Sequence, residues 1–189
     1  MVYFSLSRTD KDKHKAKTKG QKTMKRMTIA VIAAVAAATA ASGKTDAARL
    51  VKGFEGFRPS VYKCEAGRAT IGYGFTSAKM VAKGRMTETE ASAELARVCG
   101  EIEAMLRKEL GKGNELKPNE AAAVVSFIYN VGWDAFKKST MCRLLKEGKR
   151  GAEIGAEFRK WVYVTKDGKK VVSKGLANRR AKEARTFLG

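Results

Sequence analysis

Histidine is nearly missing from this chain: the only one, His14, lies in the lysine-rich stretch at the amino terminus. Histidine triads, histidine-held metals and imidazole proton shuttles are therefore excluded from the rest of the sequence. Cysteine is almost as scarce. Cys64, Cys99 and Cys142 show no C-x-x-C spacing, which argues against zinc, and their odd number leaves at least one thiol outside any disulfide within the chain. Two prolines in 189 residues, with 44% hydrophobic residues, suit one compact and mostly helical core. Acidic residues are outnumbered by 39 Lys and Arg to 19 Asp and Glu, a net charge of +20. The stretch 1–27 holds +7 of that charge and the remainder +13. A nucleic-acid partner is permitted by the charge, but no basic patch with interleaved aromatics and no helix-turn-helix pattern supports one.

Residues 1–26 are polar, lysine-rich and without periodicity, and are expected to form a disordered basic tail. Three readings suit the tail: a solvated arm, a contact with nucleic acid or anionic lipid, or a translation start at Met24 that removes most of it. Residues 27–43 follow with no charge at all, centred on TIAVIAAVAAATAAS. A buried core helix would suit that composition, but the basic flank and the position point to export. A membrane span needs about 20 apolar residues, so this one is short. Its strongly apolar members, Ile29, Val31, Ile32 and Val35, contribute roughly −1 to −2.5 kcal/mol to insertion. That is marginal, and suits either a cleaved signal peptide with small residues near Ala38–Ala41 or an anchor able to leave the bilayer.

The stretch Phe54–Thr76, FEGFRPSVYKCEAGRATIGYGFT, carries the chemistry. Glu55 stands between Phe54 and Phe57, which would desolvate a carboxyl and favour its protonated form, while Arg58 would oppose this if it approached. A proline is expected to end the local helix, and the glycine-broken run Ile71-Gly72-Tyr73-Gly74 reads as a small hairpin. Cys64 is neutral at pH 7 unless perturbed, since an ordinary thiol has a pKa of about 8.5.

Glu55, Cys64 after eight intervening residues and Thr70 after five more, with TIGYG behind them, resemble the phage lysozymes (endolysins) of glycoside hydrolase family 24. That family's pattern is glutamate, eight residues, aspartate or cysteine, five residues, threonine. The resemblance implies a mainly α (α+β), two-lobed lysozyme-like fold, with a small β-hairpin lobe and a helical C-terminal lobe joined by a long helix. It implies a muramidase that cleaves the β-1,4 bond between N-acetylmuramic acid and N-acetylglucosamine and so lyses the host cell. Glu55 would be the general acid, Thr70 would position water, and Cys64 would stand where many members have aspartate. Glu65, beside it, is another source of charge. Asn130 is expected to face the saccharide cleft. No cofactor and no metal are implied, and the partners are peptidoglycan strands and, through residues 27–43, the inner membrane of the cell that exports a monomeric enzyme to its periplasm. Some members carry alanine-rich signal-anchor-release segments of this kind. A disulfide from Cys64 to Cys99 or Cys142 would mask such a site before release. A lytic transglycosylase that closes a 1,6-anhydro ring, or a basic nucleic-acid-binding protein, are the alternative readings.

The catalytic domain is expected over 44–189. Thr45 or Asp46 would cap a helix with Ala47, Leu50, Val51 and Phe54 on one face and Glu55 at its end. A Thr87–Glu90 capping box opens a helix to about Leu110, with Ala91, Leu95, Val98, Ile102 and Leu106 or Met105 inward. Pro118 opens a helix that is apolar nearly all round. Ser139 caps another that Gly148 closes, and 151–161 form the next. Asp167-Gly168 marks a turn between two short runs, and GLANRRAKEARTFLG ends the chain as a helix in which Arg179 and Arg180 either pair with Glu183 or bind an anion.

Overall fold

The computed structural model describes residues 47–64, 67–166 and 168–189. The expected tail, the apolar segment, the Thr45 or Asp46 cap, Glu65 and Asp167 lie outside the described residues. Helix α1 (Ala47–Glu55) leads into an antiparallel pair, β1 (Arg58–Lys63) and β2 (Ala69–Gly72). A short α2 (Ala78–Val81) precedes the 23-residue α3 (Glu88–Leu110). The helices α4 (Pro118–Val131), α5 (Trp133–Lys137), α6 (Thr140–Lys146) and α7 (Ala152–Arg159) follow. A second hairpin, β3 (Tyr163–Lys166) with β4 (Lys169–Val172), then precedes the terminal α8 (Lys174–Leu188). The fold is thus mostly helical with two small hairpins, and α3 runs between the first hairpin and the helical lobe.

Local sequence accounts for most of these boundaries. The Thr87 hydroxyl accepts from the Glu90 amide while the Glu90 carboxylate accepts from the Thr87 amide, so two otherwise orphaned donors start α3. Gly111, at φ +79°, ends it. Along its solvent side Arg97 pairs with Glu94 and Glu101, and Arg107 with Glu103, at the three- and four-residue spacings that support an exposed helix. Pro118 and Glu120 open α4 as expected, and everything from Glu120 to Ile128 is buried, which makes α4 the axis of the core. Ser139 accepts from the Cys142 amide and caps α6.

Three expectations need correction. Proline does not end α1: the helix stops at Glu55, and Pro59 lies within β1, where its carbonyl accepts from Met86. The hairpin is larger than the TIGYG run, which supplies its second strand and a tight turn closed by mutual Ile71–Phe75 hydrogen bonds. The inward face of α3 is Ala91, Leu95, Cys99, Leu106 and Leu110, whereas Val98 and Ile102 are half-buried and Met105 is 42% exposed. Period alone could not separate these positions, because α3 has two sets of neighbours along its length.

The core of the helical lobe is aromatic. Phe127 on α4 meets Phe158 and Trp161 edge-on, with centroids 5.5 and 5.3 Å away, and Phe158 also packs on Phe187 of α8. Phe158 is fully buried and joins three helices. Truncation there leaves a cavity among rigid neighbours, so Phe158→Ala is expected to lower unfolding free energy by about 3–5 kcal/mol in denaturant titration.

Candidate active site

Glu55 is the last residue of α1, on the turn that hands the chain to the first hairpin. Its side chain is 24% exposed, and its Oε1 accepts from Nη1 of Arg179 on α8 at 2.6 Å. Arg179 is itself buried and fully engaged. Its Nε donates to Glu183 Oε1 at 3.1 Å and its Nη2 to the Ser126 carbonyl at 3.2 Å. Its guanidinium also lies over the Phe54 ring, 4.8 Å from the centroid. Glu183 accepts from Ser126 Oγ at 2.7 Å and, through Oε2, from Arg180. Arg180 continues the network by donating to Asn130 Oδ1 and to the Trp161 carbonyl. Two carboxylates and two guanidiniums therefore balance in one hydrogen-bonded cluster, the condition under which buried charge is tolerated. Burial pulls the Arg180 guanidinium below its ordinary value, and Glu183 beside it acts in the opposite direction.

The second Glu55 oxygen faces the hairpin. A Cβ on Gly74 would stand 3.4 Å from Oε2, and Gly74 has φ +98°, a conformation that other residues adopt only with strain. Gly72 is as constrained, because a Cβ there would meet the Phe75 ring at 2.9 Å. Between them Tyr73 locks the two lobes together. Its hydroxyl donates to Glu88 at the start of α3, and its carbonyl accepts from the Tyr129 hydroxyl of α4 at 2.8 Å. Burial pushes the Tyr129 phenol far above its ordinary range, with the Glu55 charge adding to the shift, so it stays a donor.

Cys64 and Thr70 meet at the hairpin turn. The carbonyl of Arg68 accepts both the Cys64 amide and the Thr70 hydroxyl, each at 3.0 Å. Thr70 is buried and Cys64 half-buried. Tyr62 stands directly across the strand pair from Thr70. Burial raises its phenol, Arg58 lowers it, and both Glu55 and Cys64 raise it further, which places it within electrostatic reach of both. Among the described residues there is no grouping of three or more His, Cys, Asp or Glu side chains placed to hold a metal ion.

Several sequence readings change here. Arg58 is not the cation paired with the carboxylate: its guanidinium stacks on Tyr62, 4.8 Å from the ring centroid, and the cation on Glu55 comes from 124 residues away. Phe54 and Phe57 do not form an apolar sleeve, since Phe54 carries Arg179 and Lys182 on its ring and Phe57 packs on Tyr73. Asn130 is exposed with its side-chain oxygen turned to Arg180. The Arg179 and Arg180 pairing with Glu183 is present, and the further link to Glu55 had no local signal. Tyr62, Gly74 and Tyr129 were also missed, although Tyr62 lies two residues before Cys64, near the end of β1. All three cysteines are thiols, and Cys99 and Cys142 are buried in α3 and α6. Burial, then the nearby Glu103, pushes the Cys99 thiol up to about 12.

Residues 52–183 match the family model described as "Phage lysozyme". An endolysin of Acyrthosiphon pisum secondary endosymbiont phage 1 is 33% identical over 73% of this chain and 92% of its own length. A protein of bacteriophage PS119 called a SAR-endolysin is 32% identical over 69% of this chain and 74% of its own length. The chain spans about half, 52%, of an endolysin of Bacillus phage PZA to which it is 36% identical. Among solved structures, the muramidase domain of SpmX from Asticaccaulis excentricus superposes with a TM-score of 0.67 at 32% identity, covering 76% of this chain and 95% of that one.

The buried network yields a stability test. Arg179→Met keeps the volume but takes the cation from Glu55 and one of two cations from the buried Glu183, so a loss of about 3–5 kcal/mol is expected in denaturant titration. Arg179→Lys keeps a charge but not the three-way fork, and is expected to recover only part of that loss.

Proposed function

Because the chain belongs to the phage lysozyme family, we propose that it is a muramidase hydrolysing the β-1,4 bond between N-acetylmuramic acid and N-acetylglucosamine in peptidoglycan. The observation that carries this reading is the placement of Glu55, fixed through one oxygen by Arg179 and turned through the other toward Gly74. With Oε1 held by Arg179, Oε2 is the oxygen that would meet a leaving sugar oxygen. Thr70 supports the choice of water as the acceptor. Its hydroxyl proton is committed to the Arg68 carbonyl, so its oxygen lone pairs are what remain to orient a water. Cys64, tied to the same carbonyl, occupies the second position of the pattern, where a polarisable thiol replaces a fixed negative charge. Asn130, held by Arg180 at the exposed end of α4, would border the saccharide. The +13 outside residues 1–27 would draw the enzyme to anionic wall polymers, an attraction weakened by salt.

The same proposal extends to export. Residues 27–43 would carry the enzyme, acting as a monomer, into the periplasm and tether it to the inner membrane before release, a reading supported by the name of the PS119 relative and by the marginal insertion energy. Among the described residues no helix is long and apolar enough to cross a membrane.

Glu55→Gln is expected to reduce turnover by roughly 100- to 10,000-fold in a protein that still folds, with a lowered melting temperature because Arg179 loses the Glu55 charge. A folded variant retaining more than about a tenth of wild-type turnover contradicts the assignment. Cys64→Asp should keep activity while Cys64→Ala loses much of it; equal rates in all three proteins would make Cys64 a packing residue. For the tether, Ala33, Ala34 and Ala36 changed to leucine should add roughly 1–2 kcal/mol to insertion. Cell fractionation is then expected to find the variant retained in membranes with late lysis. Wild type appearing only as a soluble form that begins near Ser42 would show a cleaved signal instead.

A further inference from the structure

The β3–β4 hairpin does nothing for the core. Every described residue of both strands is exposed, including Tyr163 (56%) and Val172 (61%). A lone two-stranded hairpin is marginally stable in water, and among the described residues no third strand joins this one and no helix buries either face. Its cross-strand pairs are Tyr163 with Val172, Val164 with Val171, Thr165 with Lys170 and Lys166 with Lys169. The apolar pairs therefore sit at the root and three lysines gather at the tip. Lys166 directly opposite Lys169 is a repulsive pair, a cost to the fold with no return inside it. The sequence places a single acidic residue, Asp167, in the turn.

The root is joined to the catalytic cluster. Val162 accepts from the Ser173 amide at 2.8 Å, Ser173 caps α8, and the preceding Trp161 carbonyl accepts from Arg180 at 3.2 Å. Continuous hydrogen bonds thus run from the hairpin root through Arg180, Glu183 and Arg179 to Glu55. Four residues per strand reach roughly 13 Å from that root.

Resting on the muramidase reading, we infer that this hairpin is a second contact for the polymer: its lysines bind the free carboxylates of the peptide stems, and Tyr163 with Val172 packs on the adjoining sugar or stem methyl groups. Charge complementarity selects this occupant, because a peptidoglycan strand is neutral along its sugars and anionic along its stems. An aromatic beside an aliphatic residue suits the apolar face of a sugar or an alanine stem. The contact would hold the strand in register while Glu55 acts, so its loss should appear in KM and not in kcat.

The test changes Lys166, Lys169 and Lys170 together to serine in the full chain, with a Lys→Arg triple variant as the control that keeps charge. Steady-state rates are measured on stem-bearing peptidoglycan and on the same strands stripped of stems by an amidase, with the muramyl carboxylates that this cut exposes capped as methylamides so that the stripped strands are neutral. On stem-bearing strands KM is expected to rise about tenfold for the serine variant, the scale of a few exposed ion pairs, with kcat unchanged and the arginine variant like wild type. On stripped strands the three proteins should behave alike. Equal losses on both substrates, or no loss on either, would overturn the inference. So would a serine variant that binds wall normally but loses retention on phosphatidylglycerol vesicles, which would make the hairpin a lipid contact. Co-sedimentation with intact and stripped sacculi is run in parallel in a Glu55→Gln background. Weaker binding of the serine triple to intact sacculi alone is expected there, and that result stands or falls even if the wild-type chain cleaves neither substrate and the muramidase reading fails.

Discussion

The hydrogen bond from Arg179 to Glu55 is the constraint on which the site depends. It joins the last residue of the first helix to the last helix of the chain, and so closes the fold around the carboxylate. A buried guanidinium is tolerable only when its donors are matched, and Arg179 matches them with Glu55, Glu183 and the Ser126 carbonyl. Glu183 in turn requires Arg180 and Ser126. Replacing any one member leaves another charge uncompensated, so the cluster fixes geometry more than it adds net stability. What it fixes is the direction of Glu55: one oxygen committed, the other turned toward the first hairpin.

The hairpin contributes by backbone rather than by side chains. Gly74 lets the chain pass within contact distance of the carboxylate, and Gly72 folds the strand end under Phe75 and Met86. Tyr73, between them, is held at its hydroxyl by Glu88 and at its carbonyl by Tyr129. The same carbonyl of Arg68 orders Cys64 and Thr70. Two positions on either side of the hairpin turn are thereby set by a single peptide group, which is a rigid way to hold them.

Local chemistry was legible in the sequence and distant pairing was not. Caps at Thr87 and Ser139, the Pro118 start and the turn at Gly168 announce themselves, because the residues that satisfy the backbone there are neighbours in the chain. The glutamate–cysteine–threonine spacing was readable for the same reason. Arg58 is three residues from Glu55 and was the natural counter-ion, yet it stacks on Tyr62 while Arg179 makes the pair. Nothing local distinguishes them; only the packing of α8 on α4 does. The inward face of α3 was half right because Val98 and Ile102 lie at its margins, a distinction that period cannot make. The short helices α2 and α5 were missed because four or five residues hold too little pattern to read.

If Thr70 orients a water that completes the cleavage begun by Glu55, solvent oxygen must end up on the sugar. The most direct measurement is mass spectrometry of the fragments released from purified peptidoglycan by the wild-type protein in heavy-oxygen water. The account predicts one solvent-derived oxygen at each newly formed muramic acid reducing end. Fragments ending in unlabelled 1,6-anhydro-muramic acid would contradict it.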